Sequence, residues 1–505
     1  MLLSQSRKHD KWAYRFLGQI LASVFLCKLG DMYQRGQLIE ATISDRAEDD
    51  RCFARLGDGI CVFVQGYLAV GDVVEAEILK VKKNYLEAKA KRVLQPSAQR
   101  TAPRCTHFGV CGGCKWQHLN YDAQLAQKVK HVQDALEHIG NFTAIPMHPP
   151  IGAELIFHYR NKIEFSFSNE RFLLEEERHT QPLNKPADFA LGFHAPHRYD
   201  KVVDIDLCYI APPEVNTALN VVKAFAMRST LAPYSPRTNE GFWRHLSIRK
   251  AFRTGEVMVN LVTSWYEEAL MQAAAAELQQ ALGTALVSVV NNITTHKGGV
   301  SIGEEEKIIF GKGFITEKLG KWQFEISANS FFQTNTLQAE RLYETVLKMA
   351  QLTPNDTVYD LYCGTGSIAI FVSPYCKKVL GIEVVESAVR DAMRNAARNA
   401  VQNCVFHQLD LKDFGKLEPE LNAFGMPDVV ITDPPRAGMH PDAVKTLLKL
   451  APKRIIYVSC NPASLARDAK LLCEHGKYSL CEVQAIDMFP HTNHIESVAR
   501  LEKNL

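Results

Sequence analysis

The sequence predicts an α/β chain that ends in a doubly wound parallel sheet, and three stretches carry that expectation. Ile455 to Pro462 reads IIYVSCNP, a short apolar run suited to a strand buried on both faces, and it delivers Cys460 to its polar end. Val429 to Ile431, followed by Thr432-Asp433-Pro434-Pro435-Arg436, has the same design, with an acid and two prolines stopping the strand. Thr357 to Leu361 is a third run, and Tyr362-Cys363-Gly364-Thr365-Gly366-Ser367-Ile368-Ala369 turns from it into a helix. Ligands of open α/β sheets bind outside the carboxyl ends of the strands, so these ends mark one crevice.

A chain of 505 residues exceeds one hydrophobic core, and its 46% hydrophobic and 23% charged residues are those of an ordinary folded protein. The net charge of +2 excludes neither an acidic nor a nucleic-acid partner, because binding patches are local. Thirteen scattered cysteines are too few for a disulfide scaffold and point to a reducing compartment, hence a cytoplasmic protein. Arg7, Lys8, Lys11 and Arg15 before the apolar Phe16 to Cys27 imitate a signal peptide, but no small-residue cleavage site follows. Residues 1–32 therefore read as a leader, with Met32 as an alternative initiator, and no stretch reaches the roughly 20 apolar residues of a membrane helix.

Residues 33–95 read as a small closed barrel of the oligonucleotide-binding kind. Its strands are Leu38 to Ser44, Arg51 to Leu56, Ile60 to Val64, Val73 to Val81 and Tyr85 to Val93, punctuated by Gly57-Asp58-Gly59, Gly66 and Gly71-Asp72. Between Lys80 and Arg104 eight basic residues face one acid, Glu87, which suggests a phosphate-contacting surface over a merely solvated strand face.

Residues 96–330 form a mixed α+β region. It opens on Cys105-x5-Cys111-x2-Cys114, with Gly109, Gly112 and Gly113 allowing a tight loop around a metal, and Cys208 is the best candidate fourth ligand. Zinc, iron and unligated thiols all fit that spacing. Leu125, Val129, Val132, Leu136 and Ile139 at helical spacing, then Gly140, predict a helix over about 121–140. Arg160, Asn161, Lys162, Arg244, His245 and Arg249 read as ordinary strand charges, and Glu170 to Pro186 as an exposed, partly acidic insertion.

Residues 331–505 carry the chemistry. Glu383 stands nineteen residues after Gly364 at the end of Val379 to Ile382, where it can accept ribose hydroxyls while Gly364 and Gly366 let a ligand approach the backbone. A dinucleotide-binding oxidoreductase would use the same turn and acid. Asp433-Pro434-Pro435 and the thiol at the next strand end argue instead for an S-adenosylmethionine-dependent methyltransferase acting on pyrimidine carbon 5. That carbon is a poor nucleophile until a thiolate adds at carbon 6, and a base must then remove the carbon 5 proton. Cys460 is the expected nucleophile, against the commoner role of a buried structural cysteine. Glu496, in Phe489-Pro490-His491-Thr492-Asn493-His494-Ile495-Glu496, is the expected base, with His491 and His494 as structural or orienting loop histidines. The target nucleotide would have to flip out of its stack.

With these residues in view, the sequence resembles the RNA uridine-5 methyltransferase family, particularly its iron-sulfur branch acting on 23S ribosomal RNA. The resemblance runs from about Gln37 onward and rests on the barrel, which is similar to a TRAM domain, and on four motifs: Cys105 to Cys114, Asp433 to Gly438, Ser459-Cys460-Asn461-Pro462 and Phe489-Pro490-His491-Thr492. It implies a Rossmann-like methyltransferase domain and a 4Fe-4S cluster on Cys105, Cys111, Cys114 and Cys208. It also implies S-adenosyl-L-methionine contacts from Gln333, Tyr362, Ser367, Glu383, Asp410 and Asp433, and a predicted helix 121–140 packed on the catalytic domain. Asn493 stands where the family often has histidine, and Ser367 often corresponds to asparagine. Structured RNA is the implied partner, 23S or transfer RNA, for a monomer with no membrane and no obligate protein partner. A non-catalytic RNA-binding or assembly factor is the rival reading, and the presence of both Cys460 and Glu496 counts against it.

Overall fold

Strict alternation builds the barrel. In β1 (Leu38–Arg46) the residues Ile39, Ala41 and Ile43 point inward between exposed neighbours, and β2 (Cys52–Arg55), β3 (Cys61–Gln65), β4 (Val73–Val81) and β5 (Tyr85–Gln95) repeat the pattern. The strands close in the order β1-β2-β3-β5-β4. The computed structural model describes residues 32–47, 51–180, 182–297, 303–411, 413 and 424–504, so the leader read before Met32 lies outside them. They form two compact units, the first ending at Arg100 and the second running from Thr101.

The basic run of residues 80–104 is partly paired with carboxylates. Lys80 pairs with Glu87 at 3.4 Å, Lys91 with Glu77, Arg92 with Glu75 at 3.0 Å, and Arg100 with the buried Asp72 at 2.7 Å. Half of the eight cations are thus matched by carboxylates, three of which (Glu75, Glu77 and Asp72) lie outside the sequence window that was read. The outward face of β2, β3 and β5 carries a different feature, a row of rings. Phe53 and Phe63 lie 5.8 Å apart and Phe63 and Tyr85 5.4 Å apart, with the Arg51 guanidinium 4.9 Å from the Phe63 ring and that of Arg55 5.8 Å from Phe53.

The second unit holds two seven-stranded sheets. The first consists of β6 (Lys162–Ser168), β7 (Ala190–His194), β8 (Val202–Asp204), β9 (Trp243–Lys250), β10 (Val257–Thr263), β11 (Leu286–Ile293) and β12 (Glu305–Gly311), ordered β12-β11-β10-β9-β6-β7-β8. The hairpin β13 (Phe314–Leu319) and β14 (Trp322–Ser327) shares a hydrophobic core with the second sheet. That sheet comprises β15 (Thr357–Leu361), β16 (Lys378–Glu383), β17 (Cys404–Gln408), β18 (Val429–Thr432), β19 (Arg454–Ser459), β20 (Tyr478–Ile486) and β21 (Glu496–Lys503), ordered β17-β16-β15-β18-β19-β21-β20. β17, β16, β15, β18 and β19 run parallel, whereas β21 lies antiparallel between β19 and β20.

The helices are α1 (Tyr121–His138), α2 (Pro213–Arg228), α3 (Glu268–Leu282), α4 (Thr336–Ala350), α5 (Ser367–Val372), α6 (Glu386–Arg398), α7 (Pro441–Leu450) and α8 (Pro462–Cys473). α1 starts where the Asn120 side chain accepts the Ala123 N–H at 2.9 Å. It packs on α8, and Val132, Ala135 and Leu136 enter the core under the second sheet. Beyond it, residues 146–151 run along the β20 edge, with the Ile151 N–H donating to the Ala485 carbonyl at 2.9 Å.

α1 also buries a polar row that apolar periodicity does not reveal, Gln124, Lys128 and His131, spaced to share one face. Lys128 Nζ lies 2.7 Å from Asp487, both side chains fully buried, and Tyr121 donates to the same carboxylate at 3.0 Å. Removing one partner of such a pair leaves the other charge dry. Lys128→Met is expected to lower the unfolding free energy by about 3–5 kcal/mol in a denaturant titration, and a change under about 1 kcal/mol contradicts the burial described.

Candidate active site

Glu383, Asp410, Asp433, Cys460 and Glu496 stand at or beside strand ends. After β15 the chain turns through Tyr362, at φ +63°, into Gly364 and Gly366. Gly366, at φ +76°, opens α5, and a Cβ there would meet the Ala392 Cβ and the Phe406 ring at 2.9 Å, so the turn needs a bare backbone. The Gly364 N–H donates to Glu383 at 3.0 Å, while the other Glu383 oxygen accepts from the Val384 and Val385 amides at 2.8 and 2.9 Å. The carboxylate at the end of β16 is therefore aimed at the glycine turn. Ser367 Oγ sits 2.7 Å from the buried Tyr343 hydroxyl on α4, and the Gln333 carbonyl accepts from the Asn161 amide at 3.0 Å. Asp410 follows β17, and its charge and that of Asp468 reinforce burial in pushing the Tyr362 phenol up to about 12.

Asp433 ends β18, with its N–H donating to the Leu361 carbonyl at 3.3 Å. Cys460 ends β19 at an elbow: Ser459 Oγ accepts the Asn461 N–H at 3.1 Å, and Asn461 caps α8 through the Ala463 N–H at 3.0 Å. The antiparallel register sets Ser459 opposite Ser497, so Cys460 lies beside Glu496, the first residue of β21. Arg436 completes the group. Its guanidinium is 3.2 Å from the His494 ring, and its carbonyl accepts from Asn461 at 2.9 Å.

Electrostatics couple these groups. Burial raises the Glu496 carboxyl well above the usual carboxylate range; the Asp433 charge adds to this and Arg436 opposes it. Asp433 is pushed up to about 6 by burial. The Cys460 thiol is pushed up to about 12 by burial, then by Glu496 and Asp433, again against Arg436. Glu496 is buried, Asp433 and Cys460 are half-buried and Arg436 is exposed, so the thiol and the two acids meet at the rim of the sheet. Asp360 belongs with them and was not singled out from the sequence. One of its oxygens accepts the Ala369 N–H at 3.0 Å, the other is buried without a partner, and its pKa is raised well above the ordinary value by burial and then by Asp433.

Cys105, Cys111, Cys114 and Cys208 line one cavity of about 440 Å³. Gly112 abuts β7, where a Cβ would lie 2.6 Å from the His194 carbonyl oxygen, and the Gly113 N–H points at the Cys111 sulfur at 3.3 Å. Burial pushes Cys111 and Cys114 up to about 12 and Cys208 up to about 11. Among the described residues no three His, Cys, Asp or Glu side chains converge closely enough to hold one metal ion. Phe331, Thr492, Asn493 and His494 form another part of the wall of this cavity. Arg160, Lys162 and Arg249, read from the sequence as ordinary strand charges, line it too. Arg249 is buried, donates to the Ser330 carbonyl and is lowered to about 10 by desolvation.

A family model described as tRNA (uracil-5-)-methyltransferase matches residues 252–504, and one for the TRAM domain matches residues 33–91. The chain is 51% identical to an "uncharacterized RNA methyltransferase" of Chlorobaculum tepidum, over 93% of this chain and 97% of that protein. It belongs to the RNA uracil-5 methyltransferase family. A relative from Porphyromonas gingivalis, also termed an RNA methyltransferase, is 40% identical over 92% of this chain and 99% of its own length. The tRNA (uracil-54, C5)-methyltransferase of Pyrococcus abyssi, solved with S-adenosyl-L-homocysteine, is 30% identical, covers 92% of this chain and 100% of its own, and superposes with a TM-score of 0.68. The protein is thus an RNA uracil-5 methyltransferase with a Rossmann-like catalytic sheet, a TRAM barrel and S-adenosylmethionine as methyl donor. Among the described residues no helix is long and apolar enough to cross a membrane.

The state of the Cys460 thiol can be read without RNA. Alkylation by iodoacetamide, followed at Cys460 by peptide mass spectrometry, is expected to rise about tenfold per pH unit from pH 7 to 9, because only the thiolate reacts. Arg436→Gln removes the one opposing charge and is expected to slow it further; a plateau below pH 9, or faster reaction in the variant, contradicts the electrostatics described.

Proposed function

We propose that this enzyme methylates carbon 5 of one uridine in 23S ribosomal RNA, using Cys460 as nucleophile and Glu496 as base. The observation that carries this reading is the meeting of thiol and carboxylate at the end of one strand pair, β19 and β21. The Cys460 thiolate adds to uracil carbon 6, and the electrons of the 5,6 double bond move toward the carbon 4 oxygen, making carbon 5 nucleophilic. S-adenosylmethionine, when bound, supplies the methyl group that carbon 5 takes. The Glu496 carboxylate then removes the carbon 5 proton, the 5,6 double bond re-forms, and the Cys460 thiolate leaves.

Gln333, Tyr362, Gly364, Gly366, Ser367, Glu383, Asp410 and Asp433 are the residues we assign to the methyl donor. Supporting this are the fixed aim of Glu383 and the partnerless buried oxygens of Asp360 and Thr432 along the same strand ends. Cys105, Cys111, Cys114 and Cys208 would hold a 4Fe-4S cluster, which would tie the cysteine loop to the segment before α2. Four soft donors around one cavity fit such a group, and a polynuclear cluster spans a wider cage than a single ion. The ring row on the barrel, flanked by Arg51 and Arg55, suits stacking of unpaired bases. On this reading the enzyme works in the cytoplasm as a monomer without an obligate protein partner.

A second reading keeps the chemistry and exchanges the substrate for transfer RNA, on the strength of the Pyrococcus abyssi neighbour. Nucleoside mass spectrometry with site mapping, on both RNAs from cells with and without the gene, separates the two. Loss of one 5-methyluridine from 23S RNA, restored by the wild-type gene and not by Cys460→Ala, is the expected result. Loss from transfer RNA alone replaces the substrate, and restoration by Cys460→Ala overturns the nucleophile.

A further inference from the structure

The backbone of the segment between β20 and β21 is held by donors from several elements. Lys128 donates to the Phe489 carbonyl at 3.0 Å, Gln338 to that of Asp487 at 2.9 Å, Asn335 to that of Met488 at 3.1 Å, and Tyr159 to that of Pro490 at 2.9 Å. The clamp ends on His491. Its carbonyl accepts two amides, from Lys115 at 2.9 Å and Trp116 at 3.0 Å, and these residues directly follow Cys114. Its own N–H donates to Gln124 Oε1 at 2.8 Å, and Gln124 Nε2 reaches its ring at 3.2 Å.

His491 also sits at φ +67°, a left-handed conformation that is unfavourable for a non-glycine residue and persists where neighbours over-determine it. The hydrogen bonds of Gln124 and of the Lys115 and Trp116 amides to this segment converge on His491, which is the route from them toward Glu496 that the structure shows. Glu496 lies five residues further along the same chain, at the entrance of β21. The cysteine cavity touches this path as well, through Thr492, Asn493 and His494.

We propose that Gln124 and the amides of Lys115 and Trp116, by locking His491, act as positioning groups for Glu496, so that the exit of the cysteine loop controls the last step of the reaction. In that step the carboxylate takes the carbon 5 proton, the C–H electron pair becomes the 5,6 double bond, and the bond from carbon 6 to sulfur breaks. The inference rests on the proposed roles of Cys460 and Glu496. A displaced carboxylate leaves thiol addition and methyl transfer intact while slowing elimination. The methylated RNA then remains attached to the protein.

This gives a readout that a merely structural role would not produce. Full-length protein, with iron content matched between variants, is incubated with S-adenosylmethionine and ordinary uridine-containing substrate RNA, and the covalent protein–RNA species is measured on denaturing gels. Gln124→Ala is expected to accumulate it at least about tenfold over wild type, since a base misplaced by about 1 Å can lose two orders of magnitude in rate. His491→Val, which resists positive φ, is expected to retain about tenfold more than His491→Asn, which tolerates it. Glu496→Gln is the control: if it traps no adduct, the base assignment fails and not the positioning. If it traps adduct while Gln124→Ala and His491→Val lose adduct and turnover together, or release product like wild type, the positioning role is overturned.

Discussion

The antiparallel pairing of β21 against β19 is the constraint on which the site depends. In an otherwise parallel sheet, side chains at strand ends come from successive β-to-α turns, each followed by a helix that leads the chain away. Inserting β21 between β19 and β20 reverses one strand, so the first residue of β21 arrives at the same edge as the last residues of β19. A thiol entering a helix and a carboxylate entering a strand thereby become neighbours, although 36 residues separate Cys460 from Glu496. The pairing fixes their relative height, because a slip of one residue would turn Glu496 to the other face.

That proximity has an electrostatic consequence. Asp433 raises Glu496, both raise the thiol, and Arg436 opposes these shifts at Glu496 and Cys460. Burial and these charges therefore favour the thiol over the thiolate at Cys460. A substrate that excludes water and reorganises these charges would meet a thiol that reacts with little else.

Much of this was legible in the sequence, and the exceptions share a cause. The barrel strands, the glycine turn and the strand ends at Asp433 and Cys460 follow from local alternation, apolar runs and stop residues, which are one-dimensional signals. The partial pairing of the basic run from Lys80 to Arg104 was not visible in it, because Glu75, Glu77 and Asp72 lie on the facing strand or turn. Lys128 and Gln124 gave no signal, since a polar residue on a helix reads as exposed unless its partner, 359 or 367 residues away, is known. Arg249 was discounted for the same reason. The cysteine loop and the Phe489 to His494 segment each stood out as motifs, but nothing in their spacing shows that they meet at His491.

The reaction turns on which atom of the protein becomes bonded to the RNA. Substrate RNA containing 5-fluorouridine retains fluorine where the departing proton would be, so the covalent species cannot be resolved, and mass spectrometry of its digest locates the attachment. One modified peptide is expected, carrying a methylated fluorouridine on Cys460. Attachment at another of the thirteen cysteines, or methyl transfer with no covalent species, would contradict that assignment.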